Sequence, residues 1–113
     1  MATRAERAAR ALQPGHEVRL LAGGAAYFDA LIEAIEAARV EVLLETYTLD
    51  FAGRPGEVAE AIARAAERGV CTQVVVDGFG TGEIPAERQA RWRQAGVHWR
   101  VYNPVGGWRM VLP

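Results

Sequence analysis

Two carboxylates stand near the ends of two apolar segments, and they are the side chains best placed to take part in chemistry. Glu45 lies in the segment VEVLLETYTL (residues 40–49), and Asp77 ends the segment VCTQVVVD (70–77). The carboxyl ends of neighbouring parallel strands meet at one edge of a sheet, where α/β proteins bind ligands. An acid on an apolar strand is costly unless it is paired or at the rim, which favours a functional or hydrogen-bonding role. The alternative is a carboxylate that accepts hydrogen bonds from N–H groups of the following loop.

A glycine-rich segment, GFGTG, follows Asp77 directly and carries Gly78 and Gly80. Glycines at the end of a strand let the backbone approach a ligand closely. The spacing departs from the dinucleotide-binding fingerprint, because Glu83 takes the third glycine position and would place an anion beside the pyrophosphate. A phosphoacceptor role for Asp77, as in response regulators, needs a lysine, and the chain contains none.

The absence of lysine limits the chemistry further, since all 13 cationic residues are arginine. Schiff-base catalysis and a P-loop lysine are therefore excluded. His16 and His98 have no partners at metal-ligand spacing, so we predict no metal site and no cofactor. The single Cys71 lies within a predicted strand, where we expect a small buried hydrophobe rather than a disulfide.

The charge is distributed unevenly although the net charge is only −1, which gives no reason to expect nucleic acid as a partner. From Arg88 onward there are five arginines and no acid. This basic C-terminal quarter could meet a phosphate group, or it could be an ordinary solvated helix face. No apolar stretch is long enough to span a membrane.

Periodicity predicts the elements that position these residues. Short runs rich in β-branched residues predict four strands, at 17–21, 40–49, 70–77 and 97–102. Apolar stripes at helical spacing, and glycine stops at 69 and 96, predict three helices, at 25–39, 57–68 and 85–95. Glycine and proline at 50–56 predict a loop. Residues 1–14 are an N-terminal extension that forms either a short basic helix or a frayed terminus.

The order β-α-β-α-β-α-β, with short connections, predicts a layered α/β unit with a mostly parallel sheet and right-handed crossovers. The segments 40–49 and 70–77 are apolar without a clean alternation. We therefore expect both strands in the interior of the sheet, with 70–77 covered on both faces.

An ordered set of short segments along this chain resembles the N-terminal part of the bacterial cardiolipin synthases, which belong to the phospholipase D superfamily. The resemblance runs from about residue 15 to the end. It rests on VRLLAGG (18–24), YF (27–28), LETY (44–47), AAERGV (65–70), VDGFGTG (76–82), AGV (95–97) and YNP (102–104). Each segment alone is weak evidence, whereas their common order is fairly specific.

The resemblance implies a membrane-associated phosphatidyltransferase that joins two phospholipids of the phosphatidylglycerol type into cardiolipin and releases glycerol. Enzymes of this family contain two α/β halves, each with a His-x-Lys-x4-Asp motif; one histidine attacks phosphorus and the other protonates the leaving alcohol. This sequence has no such motif because it has no lysine. We therefore expect residues 15–113 to be the N-terminal portion of a phospholipase D-like half-domain, inactive alone. The implied location is the cytoplasmic side of the bacterial inner membrane, held peripherally, or the cytoplasm.

The resemblance transfers no catalytic residue, but five positions match family motifs at the site-facing edge. These residues are predicted to form a supporting shell around the substrate: Glu45, Thr46, Asp77, Gly78 and Gly80. The alternative from another class is a non-catalytic phosphate-binding or interaction module that uses the basic third helix and the edge at Asp77. Self-association is a further expectation, because an incomplete sheet leaves an edge and apolar surface uncovered.

Overall fold

A computed structural model describes residues 1–104 of the chain, and for residues 8–10 it describes the backbone alone. The last arginine of the basic C-terminal quarter, Arg109, lies outside the described residues. Eight elements follow in the order α1 (Arg4–Ala11), α2 (Gly23–Ala37), β1 (Glu41–Thr46), α3 (Gly53–Glu67), β2 (Cys71–Asp77), α4 (Gly78–Thr81), α5 (Ala86–Ala95) and β3 (His98–Tyr102).

The three strands form one parallel sheet in the order β1-β2-β3, which confirms the predicted layered α/β class. Helix α3 connects β1 to β2, and α4 and α5 connect β2 to β3. Right-handed crossovers that always step in the same direction across a sheet put every connecting helix on the same face. One face of this sheet is accordingly covered by helices, and within residues 1–104 the other is open.

Burial along the strands shows this one-sided cover directly. In β2 the side chains of Thr72, Val74 and Val76 are buried, whereas Cys71 and Gln73 are exposed. The predictions that this strand is covered on both faces and that Cys71 is buried are therefore wrong. The prediction that β1 lies inside the sheet is wrong as well, because β1 is an edge strand whose burial alternates.

The core lies between the covered face and the helices, with α3 at its centre. Alanines at 59, 61, 63 and 65 are fully buried and let α3 pack closely against its neighbours. Trp92 of α5 is also fully buried, and its indole N–H donates a hydrogen bond to the Ala59 carbonyl oxygen at 2.9 Å. The helix ends at Gly96, whose φ of 92° is the left-handed geometry expected of the predicted glycine stop.

The predicted first strand at 17–21 does not form. Val18 and Leu20 are 89% and 95% exposed, and no strand of the described chain lies beside them. An alternating segment of five residues is stable as a strand only when it pairs with a neighbour, and the alternation alone does not supply one.

Two segments predicted as loops contain helical turns. Helix α3 begins at Gly53 rather than at residue 57. Pro55 is compatible with this start because it lies in the first turn, where a backbone N–H would have no partner within the helix. The glycine-rich segment after β2 forms the short helix α4. Near the N-terminus the helical alternative is the one observed, as α1.

Candidate functional site

The parallel pairing of β1 and β2 brings both predicted carboxylates to the carboxyl edge of the sheet. Glu45 lies beside Val75 and Thr46 beside Val76, so Asp77 stands two residues beyond Glu45 along the strand direction. The expected common edge is confirmed, but no hydrogen bond links the Glu45 and Asp77 side chains in the described structure. By the alternation of β1, Glu45 belongs to the open face, whereas the half-buried Thr46 faces the helices.

Asp77 caps helix α4. Its Oδ1 accepts hydrogen bonds from the backbone N–H groups of Phe79 at 2.8 Å and Gly80 at 3.4 Å. A carboxylate at this position satisfies helix N–H groups that otherwise have no partner. The contacts made within the chain are therefore those of the loop-anchoring alternative.

Gly78 and Gly80 are needed because other backbone segments occupy the space where a side chain would be. A Cβ atom on Gly78 would lie 2.3 Å from the Asn103 carbonyl oxygen, and one on Gly80 would lie 2.2 Å from that of Tyr47. Both glycines thus allow α4 to lie against the ends of β1 and β3. The close approach that the glycines permit is to the protein's own backbone.

Thr81 completes this arrangement, although sequence reasoning did not select it. Its hydroxyl donates a hydrogen bond to the Tyr47 carbonyl oxygen at 3.1 Å and accepts one from the Leu49 N–H at 3.0 Å. The only feature of the sequence that pointed to Thr81 was its place between two glycines. Thr46 makes a more local contact, donating from its hydroxyl to the Thr48 carbonyl oxygen at 3.0 Å.

A cleft of about 510 Å³ lies at this edge, between the segment after β1 and the segment after β2. Gly80 is the one predicted site residue that lines it. Its charged lining residues are Asp50 and Glu83, and no arginine or histidine of the described part of the chain lines it. Among the described residues, this cleft has no imidazole nucleophile for phosphorus and no cationic side chain to stabilise a phosphate. It can position a group through backbone and hydroxyl contacts.

Two of the three arginines of α5, Arg88 and Arg91, are paired with carboxylates of helix α3, and the third, Arg93, lies over the Trp99 ring. Arg88 bonds the Glu60 carboxylate at 2.9 Å, and Arg91 bonds it at 2.7 Å while also pairing with Glu67. The hydrogen bonding of Arg91 to Glu60 is the main reason that the pKa of Glu60 is lowered. A separate hydrogen bond from Arg91 to Glu67 lowers the pKa of Glu67. The two carboxylates in turn raise the pKa of Arg91. Neither Arg88 nor Arg91 is a free cation for a phosphate ligand.

Other candidate ligands are dispersed. Within residues 1–104 no three His, Cys, Asp or Glu side chains lie together as a metal would require. His16 and His98 are exposed on separate parts of the chain. No helix of the described part combines the length and apolar character needed to cross a bilayer.

Comparison with known proteins finds the bacterial cardiolipin synthases. Cardiolipin synthase B of Salmonella typhi and that of Escherichia coli K12 are each 34% identical to this chain over 92 residues, which is 80% of this chain and 22% of theirs. Cardiolipin synthase A of Pseudomonas putida is 31% identical over 93 residues, which is 82% of this chain and 19% of its own length. The chain therefore spans about a fifth of the length of these relatives. No protein-family model matches it, and no solved structure matches it significantly.

Proposed function

Because the chain is homologous to part of the bacterial cardiolipin synthases, we propose that it is the N-terminal segment of a phosphatidyltransferase of that type. The reaction is the transfer of a phosphatidyl group from one phosphatidylglycerol-type lipid to another, with release of glycerol. The segment contributes a scaffold at the carboxyl edge of the sheet and no catalytic side chain. Sequence identity of 34% over 80% of the chain is the observation that carries the proposal.

The residues of this chain indicate which parts of the catalytic site it can supply and which it cannot. The sequence contains no lysine, and so it supplies no His-x-Lys pair for a phosphohistidine route. Asp77, Gly80 and Thr81 instead tie α4 to the ends of β1 and β2. A fixed edge of this kind supports catalytic groups supplied by other parts of the protein, because loose positioning of such groups costs rate.

Two of the predicted shell residues, Asp77 and Glu45, differ in whether the carboxylate is already hydrogen-bonded. The Asp77 carboxylate is engaged by N–H groups of α4, and Glu45 is exposed. We assign Asp77 the role of holding the loop in place and Glu45 that of a carboxylate available to orient a group brought by the remainder of the protein. Phospholipid is the substrate, and contact with the membrane is peripheral, on the cytoplasmic side.

The alternative of a phosphate-binding module that works through the basic third helix has less support. Arg88 and Arg91 are both bound by Glu60, so the face they share with α3 is close to neutral. A phosphate ligand would have to displace a carboxylate that is already hydrogen-bonded there.

The proposal is tested by transplantation. The 92-residue segment of Escherichia coli cardiolipin synthase B that matches this chain is replaced by its counterpart here, and cardiolipin formation from phosphatidylglycerol is measured. We expect the chimera to form cardiolipin and the 113-residue chain alone to form none. Turnover by the chain alone would overturn the proposal that the segment contributes a scaffold and no catalytic side chain. A folded but inactive chimera would overturn the proposed equivalence of the two segments.

A further inference from the structure

An apolar pocket of about 200 Å³ lies between α2, β1 and the start of α3. Its apolar walls come from all three elements: Phe28 and Leu31 of α2, Leu44 of β1 and Val58 of α3. Val58 is buried, and the other three are half-buried residues packed against the core. The pocket therefore lies on the helix-covered face of the sheet, and its walls are built by consecutive elements of this chain.

The pocket adjoins the cleft at the carboxyl edge of the sheet. Three residues of the segment after β1, Thr48, Leu49 and Asp50, line both cavities. Asp50 is the one charged residue among the described residues that line the pocket. Its Oδ1 already accepts hydrogen bonds from the backbone N–H groups of Phe51 at 2.7 Å and Ala52 at 3.1 Å. A ligand in the cleft can therefore extend into the pocket, where it meets mostly apolar side chains.

The chemistry of the walls selects the kind of ligand. The Thr46 hydroxyl lines the pocket as well, and it donates its hydrogen bond to the Thr48 carbonyl oxygen. A charged group placed against Leu31 and Leu44 would lose water without gaining a partner, whereas hydrocarbon gains free energy from burial there. The pocket is thus suited to an uncharged hydrocarbon chain that belongs to a ligand with a polar end.

We propose that this pocket holds the part of one acyl chain of the phospholipid substrate that lies next to the ester, with the glycerol backbone of the lipid toward the adjoining cleft. The remainder of the acyl chain leaves the pocket. This inference rests on the proposed function, since the ligand is a substrate only if the chain is part of a phosphatidyltransferase. It assigns the walls, chiefly Leu31 and Leu44, a part in substrate binding through apolar contact alone.

The volume of the pocket limits how much hydrocarbon it can hold. A methylene group is close in size to a water molecule, whose share of the liquid is about 30 Å³, so the pocket takes about six methylene groups. Burial of each methylene group strengthens binding by about four-fold. Affinity should therefore rise with acyl length until the pocket is full and then level off. Adhesion of lipid to an open surface would give an affinity that continues to rise.

Binding is measured on the 113-residue chain with lysophosphatidylglycerols whose acyl chains have four to ten carbons, each below the concentration at which it forms micelles. The methyl resonances of Leu31, Leu44 and Val58 should shift as lipid is added. Those of Leu43 should not, because Leu43 lies on the opposite face of β1 and is 61% exposed. Lysophosphatidylcholine of the same acyl length should bind about equally, since the walls contact the acyl chain rather than the head group.

Filling the pocket tests the site itself. Leu44→Trp places a larger side chain in the pocket and should weaken binding by about ten-fold or more, as expected from the loss of about two buried methylene groups. Leu43→Trp makes the same change on the opposite face of the strand and should bind as the wild type does. Leu31→Phe is a smaller filling change on α2, and it should move the plateau to a shorter acyl chain. Circular dichroism checks that each variant is folded.

The chimera with Escherichia coli cardiolipin synthase B distinguishes a substrate acyl chain from that of a bystander lipid. The KM for dihexanoyl phosphatidylglycerol should be lower than that for the dibutanoyl lipid, and Leu44→Trp should reduce this preference by about ten-fold with kcat little changed. The comparison is made between two substrates of one variant, so a general loss of folded protein does not alter it.

A chimera that makes cardiolipin, together with a chain whose Leu31, Leu44 and Val58 resonances ignore the lipid, would overturn this inference and leave the proposed function intact. Filling variants that bind lipid as the wild type does would also overturn it. If Leu44→Trp lowers turnover equally for both acyl lengths, another part of the longer protein fills the pocket and the inference is wrong. An inactive chimera beside saturable lipid binding by the chain would instead contradict the proposed function.

Discussion

Gly80 and Tyr47 lie so close together that a Cβ atom on Gly80 would stand 2.2 Å from the Tyr47 carbonyl oxygen and 2.7 Å from its ring. We predict that Gly80→Ala lowers the free energy of unfolding by about 2–4 kcal/mol, because backbone must move to admit the methyl group. Gly24→Ala is the matched control. Gly24 lies in α2 with open space around it, and alanine there should stabilise the chain by about 0.5–1 kcal/mol. Urea unfolding of both variants makes the comparison, and equal effects would contradict the packing described here.

Two substitutions at Asp77 distinguish the effect of its charge from the effect of its hydrogen bonds. Asp77→Ala removes the acceptor for Phe79 and Gly80 and should destabilise the chain by about 1 kcal/mol, whereas Asp77→Asn keeps an oxygen at the cap and should cost little. Because Asp77 is assigned the role of holding the loop, Asp77→Asn should keep most of the activity of the chimera, whereas Asp77→Ala should lower it. A rate lowered roughly ten-fold or more by Asp77→Asn would show that the carboxylate also orients a catalytic group.

The Glu60 cluster predicts a pH-dependent contribution to stability. The Arg91 hydrogen bond holds the folded-state pKa of Glu60 below its usual value near 4.5. A carboxyl whose pKa is lowered by folding stabilises the fold above its unfolded pKa and loses that contribution as the pH falls through the folded one. Glu60→Gln should therefore cost about 1 kcal/mol at pH 7, where it leaves the mostly buried Arg88 without a carboxylate.

The difference between wild type and Glu60→Gln should shrink as the pH falls below about 4.5. Glu33→Gln serves as the control, since Glu33 is exposed and forms no ion pair within residues 1–104. Thermal melts at pH 7 and pH 3.5 give the measurement. A Glu60→Gln deficit that stays constant across this range would show that the ion pairs contribute nothing.

Thr72 is buried beneath the helices, and its hydroxyl finds no hydrogen-bond partner in the part of the chain that the structure describes. A buried hydroxyl without a partner is destabilising compared with a methyl group of similar shape. Thr72→Val should therefore raise the free energy of unfolding by about 1 kcal/mol. Loss of stability in a urea melt would mean that the hydroxyl does have a partner.

The sequence correctly predicted the features of the fold that depend on local sequence pattern. Helices α2, α3 and α5, strands β2 and β3, and the glycine stop at Gly96 follow from periodicity and turn chemistry, and they appear within a few residues of the expected bounds. The common edge of Glu45 and Asp77 followed from parallel topology alone.

The sequence did not predict what depends on partners distant along the chain. Val18 and Leu20 alternate as in a strand but have no neighbouring strand to pair with among residues 1–104. The β-branched run of β2 suggested two covered faces, whereas the handedness of successive crossovers puts every connecting helix on one. Thr81 was missed because its two hydrogen bonds reach residues 32 and 34 positions away.

Cardiolipin formation by the chimera with Escherichia coli cardiolipin synthase B tests the central claim most directly. We predict a rate within about ten-fold of the parent enzyme, and a large loss of folded chimera and of activity for the same chimera with Gly80→Val, because the larger side chain overlaps Tyr47. The corresponding Gly24→Ala chimera should stay active. A chimera that folds and binds lipid but makes no cardiolipin would contradict the claim that this chain is a segment of a phosphatidyltransferase.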